Sequence, residues 1–362
     1  MADLRGEVVY LFAFDVGSEI LTPVVESRLA RRAEPFQVRR PQLAPPDVTF
    51  YRPLVVDPPP DAVAVNGQPA QVEVRVYDVG CVTVTVRVPV AAPGLADLRR
   101  FHRPLAADGR PLGEPVRELC DGVRRALGDA VRGSVPPSDP EVYTAFCLTD
   151  LGGEPAADRW LAAHRSEAAG LLTDLDATAV SDAQVAETLR LARSLETADL
   201  VVIDWDAALV IDLGGPAEEV LHVLELANLQ LQEWRTLDAV LDRHLGRLYD
   251  RLGRRPRLWG GGWAPALREV RQLRVDVAKL ADEVTNITKF VGDWYLARVY
   301  LAARERFHLD AWRASVEQRL GQLDRLYGVV QGEVNERRML WLEVLIVLLI
   351  LVELIVALIG RG

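Results

Sequence analysis

Between Val72 and Val90 the chain alternates with period two. Val72, Val74 and Val76 fall on one side of an extended strand and Glu73, Arg75 and Tyr77 on the other, and after Asp78-Val79-Gly80 the alternation resumes at Val82, Val84, Val86 and Val88. Successive side chains of a strand point to opposite faces, so this spacing commits the segment to β structure, and the aspartate/glycine break makes it a hairpin. Val8–Phe14 and Leu200–Asp212 carry similar apolar runs. A short echo links the three: Phe14-Asp15-Val16-Gly17, Tyr77-Asp78-Val79-Gly80 and Ile203-Asp204-Trp205-Asp206. Three strand–turn–strand units in one or two antiparallel sheets are predicted, the echo arising either from a repeated unit or from shared turn chemistry.

Helical spacing lies between and after these strands. Glu114–Val131 places Val116, Leu119, Cys120, Val123, Leu127 and Val131 on one face, Asp158–Leu172 is a second helix, and Ser181 with Gln184 forms a capping pair at the head of Ser181–Ser194. Proline-rich 41–60 and 135–140 are expected to be loops or covering segments. From Ala217 the pattern is helical only. Val220, Leu224, Ala227, Leu231, Trp234, Leu237 and Leu241 open a seam that runs to Leu252, a helix of ~50 Å. Pro256 and Gly260–Gly262 break it, a second seam covers Val270–Val291 at coiled-coil spacing, and Gly292-Asp293 marks a joint. The last seam includes Trp312, Val316, Leu320, Leu323, Tyr327, Val330 and Val334, and one helix from Asp310 to Ile359 would measure ~75 Å.

Residues 339–359 are apolar except for Glu343 and Glu353. As a helix they would extend ~31 Å, close to the ~30 Å hydrocarbon thickness of a bilayer. Trp341 lies at one edge, Arg337 and Arg338 precede the run and Arg361 follows it. On this reading the segment is a C-terminal transmembrane helix, and the positive-inside rule sets the N-terminal part in the cytoplasm. Glu353 is costly at depth, by about 2.5–3.5 kcal/mol, so an oligomer in which it lines a helix–helix interface is one way to hide it. The competing reading is a helix buried in the core of an oligomer.

The 362 residues carry a net charge of −10, which argues against general nucleic-acid binding. Of 42 basic residues only Lys279 and Lys289 are lysine, a bias that points to GC-rich coding rather than to arginine chemistry. Cys81, Cys120 and Cys147 lack C-x-x-C spacing and are expected to be buried thiols in a reducing compartment. The start of the chain has no signal-peptide pattern. There is no G-x-x-x-x-G-K-[ST], G-x-G-x-x-G after a strand, G-x-S-x-G or H-E-x-x-H, and His102, His164, His222, His244 and His308 lack ligand spacing. Asp204, Asp206 and Asp212 form the best acidic group; aspartates two apart can share a divalent cation, and turn or strand-edge roles are the simpler account.

The C-terminal pattern Gly292-Asp293-Trp294-Tyr295-Leu296-Ala297-Arg298-Val299-Tyr300, then Trp312, Leu320, Leu323 and Tyr327, then Arg337, Leu342-Glu343-Val344-Leu345-Ile346 and Glu353, resembles the YagE family, also called the "required for meiotic nuclear division" family. The resemblance covers about residues 285–355, with weaker similarity at Leu200–Asp212 and at Val8–Gly17. It implies a membrane protein with most of its mass on one side and a homo-oligomeric habit, and it carries no catalytic residues across. Trp341 precedes Glu343 where that family places its aromatic after the acid, which marks a divergent subfamily. Taken together, the expectation is an α+β cytoplasmic domain at 1–215, an all-α coiled-coil-like stalk at 216–338 and a transmembrane helix at 339–359. The function expected of it is a membrane-anchored, homo-oligomeric scaffold or tether in a bacterial inner membrane. It would have no catalytic site and no cofactor, and its partners would be the lipid bilayer, further copies and a cytoplasmic protein. The alternatives are an enzyme or ligand- or metal-responsive regulator using the α+β domain, and a soluble helical oligomer.

Overall fold

In the computed structural model the Val72–Val90 alternation forms the predicted hairpin. Strands β6 (Gln68–Val76) and β7 (Cys81–Ala92) pair antiparallel, with Val76 opposite Val82 and Val72 opposite Val86. The structure describes residues 3–28, 30–31, 53–56, 63–133, 139–215, 217–253, 275 and 294–359. The expected seam at Val270–Val291 and the joint at Gly292-Asp293 lie outside these residues, apart from Val275.

Strand β1 (Leu4–Asp15) is central, antiparallel to β7 on one side and to β9 (Glu141–Leu151) on the other. The predicted hairpin at Leu200–Asp212 is β10 (Asp199–Ile203) and β11 (Ala207–Asp212). β11 joins the sheet parallel to β9, so the sheet is mixed and not purely antiparallel. With β3 (Ala30–Arg31), β4 (Leu54–Val56) and β5 (Val63–Val65) it has nine strands among the described residues, in the order β10-β11-β9-β1-β7-β6-β4-β3, with β5 on β6. Strands β2 (Glu19–Ile20) and β8 (Val131–Arg132) form a separate pair. Asn66 and Gly67 both have positive φ at the β5–β6 turn, the two-residue hairpin geometry that Asn-Gly favours.

One sheet face is apolar. Val8, Tyr10, Phe12, Phe14, Val74, Val76 and Val82–Val88 at alternate positions pack beneath α2 (Leu95–Leu98), α3 (Gly113–Leu127), α4 (Ala157–Ala163), α5 (Arg165–Leu172) and α6 (Asp182–Thr188). The expected Asp158–Leu172 helix is thus two helices, broken at His164. Ser181 caps α6 by accepting the Gln184 N–H at 3.2 Å, as its spacing requires. The other face lies under α7 (Glu218–Gly253) and α8 (Trp294–Arg306). Every residue of α7 from Val220 to Gln230 is buried.

Two compact units result. The first contains residues 1–236 and 279–313, the second 237–278 and 314–362. In the second unit the C-terminal part of α7 runs parallel to α9 (Leu309–Ile359). Ser315 donates to Asp238 at 3.0 Å, and Arg319 pairs with Asp238 at 2.7 Å and with Asp242. Leu241 and Leu245 on α7 and Val316 and Leu323 on α9 are buried.

The α+β class stands, but the transmembrane helix does not. Among the described residues no helix is long and apolar enough to cross a membrane. The 51-residue α9 has length to spare, yet Glu343 and Glu353 leave between them only Val344–Val352. That uninterrupted stretch is ~14 Å of helix against a ~30 Å hydrocarbon core. The transmembrane and tail-anchor readings and the single-pass localisation are therefore withdrawn, and with them the orientation assigned from Arg337 and Arg338.

The echoed Asp-Val-Gly segments meet in space. Gly80 accepts at its carbonyl from the N–H groups of Val16 and Gly17, at 3.0 and 3.2 Å, and the Ile20 N–H donates to the Asp78 carbonyl at 2.9 Å. Only the second segment is a hairpin turn; the first leads from β1 toward β2. Gly80 has φ +93°, and a Cβ there would lie 1.9 Å from the Gly17 carbonyl oxygen. Gly80→Ala is expected to destabilise the protein by about 2 kcal/mol or more, read from a urea midpoint; an unchanged midpoint would contradict this packing.

Candidate functional site

The sheet face beneath α7 carries the polar half of the valine alternation. Arg75, Tyr77, Thr83 and Arg87 point at the helix instead of at water. Arg75 pairs with Glu225, with Glu73 at 2.5 Å and through Nη1 with His222 Nδ1 at 3.3 Å. Thr83 Oγ1 donates to the second Glu225 oxygen at 2.5 Å. Glu225 is 2 % exposed and His222 6 %. Burial alone would push the Glu225 carboxyl up, but Arg75, His222 and Thr83 override it and hold it at about 2. One helical turn before His222, Glu218 takes Arg87 at 2.6 and 2.5 Å while Arg87 also reaches Glu7 at 3.0 Å. Farther along, Asn228 donates to the carbonyls of Leu11 and Glu141, and Gln232 to that of Asp139. These groups face each other rather than a solvent-filled cleft. Their chemistry is that of a clasp that sets the register of α7 on the sheet. A cavity of about 450 Å³ opens beside Arg87, lined also by Arg5, Glu7, Thr149 and Asp212, but the Arg87 guanidinium is already committed to two carboxylates.

Asp204 and Asp206 share the β10–β11 turn, whereas Asp212 lies at the far end of β11, so the structure does not gather the three. The Asp204 carboxylate lies 3.4 Å from Arg306 Nε, both side chains being nearly fully buried. Arg306 also donates to the carbonyls of Ile203 and Glu187, at 3.2 and 2.8 Å, and pairs with the Glu187 carboxylate at 3.0 Å. Burial raises the Asp204 carboxyl, and Arg306 draws it back. The Asp206 carbonyl accepts from Thr144 N–H, and Asp212 Oδ1 accepts from Gly214 N–H at 2.9 Å. Among the described residues no three His, Cys, Asp or Glu side chains are grouped to hold a metal. Trp205, at the tip of the turn, is 56 % exposed and packs against His308 with ring centroids 4.5 Å apart and ring planes tilted by 51°. All three cysteines are buried and unbridged.

Asp15 closes β1 under α7. Its Oδ1 is buried and has no hydrogen-bond partner among the described residues. Burial pushes its carboxyl up to about 7, against smaller opposing contributions from Gly17 and Thr236.

On α9, Glu343, Glu353 and Trp341 are exposed together with the large apolar residues around them. From Met339 to Val352 every large apolar side chain is between 46 % and 63 % exposed. Arg337 and Arg338 fall within the same helix.

Residues 5–217 match the family described as "Uncharacterized protein MJ0711, N-terminal domain". The chain belongs to this family. The match ends where α7 begins, so it covers the sheet and the helices of its apolar face. A curated relative, "Uncharacterized protein MJ0711" of Methanocaldococcus jannaschii, is 25% identical over 218 residues. That alignment covers 60% of this chain and 66% of the relative, just under two thirds of its length. The resemblance to the YagE family rests mainly on residues 285–355, outside the matched stretch, and nothing in the match links the two families.

Two outcomes follow for the buried charges. Arg306→Ala leaves Asp204 buried without its cation and is expected to cost about 3–5 kcal/mol in chemical denaturation; a loss below 1 kcal/mol would mean the pair is not closed. For Asp15 the folded-state pKa lies above the unfolded value of about 3.9, so its proton is held more tightly in the folded protein and stability falls as pH rises from about 4 through about 7. Asp15→Asn should therefore be more stable than the parent at pH 8, by about 1–3 kcal/mol, with the difference vanishing near pH 4. Parallel stability curves across that range would refute the assignment.

Proposed function

We propose that the protein is a homo-oligomeric scaffold whose copies associate through the apolar part of α9. The observation that carries this reading is the exposed run from Met339 to Val352. At about half exposure per side chain it presents on the order of 1,000 Å² of apolar surface, where the largest patch of a monomeric protein measures roughly 300–600 Å². An apolar helix surface of that size is stable in water only when covered. Covering it with further copies removes on the order of 25 cal/mol for each Å² buried. The sequence offers no catalytic motif to set against this, and the best acidic group is occupied by structural partners: Arg306 at Asp204 and a backbone N–H at Asp212. The α+β unit is then the part that each copy contributes to the assembly for recognition by other molecules.

Sedimentation velocity of the full chain in detergent-free buffer tests the proposal. The parent chain should sediment as an oligomer, and the combined variant Leu345→Lys, Leu348→Lys, Leu351→Lys should sediment as a folded monomer with unchanged far-ultraviolet circular dichroism in its α+β unit. A monomeric parent contradicts the proposal. So does a monomer that instead floats with phosphatidylethanolamine–phosphatidylglycerol vesicles.

A further inference from the structure

The part of α7 that lies on the sheet is anchored unequally at its two ends. Over the first two turns the anchors are charged, Arg87 with Glu218 and Arg75 with Glu225. Farther along they are neutral: Asn228 donates to the Leu11 and Glu141 carbonyls, and Gln232 to that of Asp139. The last buried side chains of α7 in the first unit are Gln232, Glu233 and Trp234. Arg235 is exposed, Thr236 is half-buried, and the first unit's share of α7 ends there.

Two buried polar atoms at this end, Asp15 Oδ1 and Trp234 Nε1, have no partner among the described residues. Buried polar atoms are nearly always paired. An orphan is a cost borne by the closed turn alone, because opening gives the atom to water. Asp15 ends β1 opposite Cys81. The Thr236 hydroxyl accepts from Gln232 Nε2 at 3.4 Å, which leaves its own proton for the Asp15 carboxyl, and the Gly17 N–H is the other donor to it. The titratable and charged groups on the surrounding elements are engaged with one another. Cys81 of β7 points its thiol at Glu233 of α7, 3.6 Å away. Arg235 of α7 pairs with Glu141 of β9, and Glu19 of β2 with Arg132. In the β6–β7 turn Asp78 accepts from the Val79 N–H, while Tyr77 sits in the field of Glu225 and Arg75. No cation is among the groups that act on Asp15.

We propose that Asp15 is a proton-operated latch for this end of α7: with its proton it keeps the turn Gln232–Thr236 on β1 and β7, and on losing it the turn opens while the Arg75–Glu225 clasp stays shut. Opening gives the carboxyl to water, where an aspartate ionises near about 3.9. The closed turn holds the proton up to about 7. A group whose closed-state value is the higher one stabilises the closed form fully below about 4, loses that contribution as pH rises to about 7, and adds no further change above it. The charged anchors nearer the start of α7 have no such dependence in this range, since Glu225 is held ionised down to about 2. Release of this turn uncovers Cys81, which lies beneath it, and leaves Cys147, beside Glu7 and Arg87 at the other end, covered.

The two buried thiols make the latch measurable on the full chain. Labelling by 4,4′-dithiodipyridine is followed by peptide mass spectrometry, each rate being divided by that of the urea-unfolded chain at the same pH to remove thiol ionisation. Cys81 labelling in the parent should rise at least roughly tenfold from pH 5 to pH 8, and Asp15→Asn should abolish the rise. At pH 8 the parent should label Cys81 faster than Cys147. Its rate should barely change with urea below the unfolding midpoint, whereas that of Cys147 should climb, because a local opening exposes little surface. Thr236→Val removes a donor that favours the carboxylate, so the pH at which Cys81 labelling levels off should move up. Equal labelling of the two thiols with the same urea dependence would mean that only global unfolding exposes Cys81, and would overturn the latch. A rise that persists unchanged in Asp15→Asn, or a levelling-off that stays put or falls in Thr236→Val, would overturn it as well.

Discussion

The pairing of Arg75 with Glu225 beneath α7 is the interaction on which the rest of the fold depends. Two charges removed from water are costly, and their attraction offsets that cost only when the geometry is closed and the remaining atoms are bonded. Here both conditions hold. Thr83 takes the second oxygen of Glu225, His222 and Glu73 take further guanidinium contacts, and the resulting depression of the Glu225 carboxyl reports the net attraction. Because the clasp is polar and directional, it selects one register of a long helix on a sheet. An apolar contact of equal area would tolerate sliding. Fixing α7 in turn fixes Gln230, which accepts from the buried Tyr300 hydroxyl of α8 at 2.7 Å. From α8 the chain reaches Arg306, whose contacts tie the β10–β11 turn to the end of α6.

Much of this was legible in the sequence wherever a side-chain period was clean. Alternate valines gave the β6–β7 hairpin, the Ser181–Gln184 spacing gave the start of α6, and the threes and fours after Ala217 gave α7. What failed to show was the role of the polar half of the alternation. Glu73, Arg75 and Tyr77 look like a solvated strand face, and only the polar His222 and Glu225, one turn apart in the apolar seam of α7, hint that they have partners. Asn66-Gly67 is a strong local hairpin signal, and it forms the β5–β6 turn. The parallel pairing of β9 with β11 was illegible for a different reason: it joins strands far apart in sequence, and no local pattern encodes it. Asp204, Asp206 and Asp212 are close in sequence but separated by the length of β11, so sequence proximity overstated their kinship.

The terminal run shows how composition can mislead. Its average apolarity suggested a bilayer span, but position matters more than the average. Two carboxylates divide the run and leave too short an unbroken stretch. Membership of the MJ0711 N-terminal family covers the sheet and its helices and is silent on this helix. The proposed assembly therefore rests on this helix: the α+β unit is a body fixed by buried charges, and α9 is the element through which copies are proposed to associate.

The most direct measurement of that account is the distance between α9 helices of different copies. A single nitroxide at residue 346, on the full chain in detergent-free buffer, gives a dipolar signal only if copies lie side by side. Helices packed about 10 Å apart with labels directed outward should give an intermolecular peak at roughly 20–30 Å. A featureless decay, with no distance between copies, would contradict the association of this protein through its terminal helix.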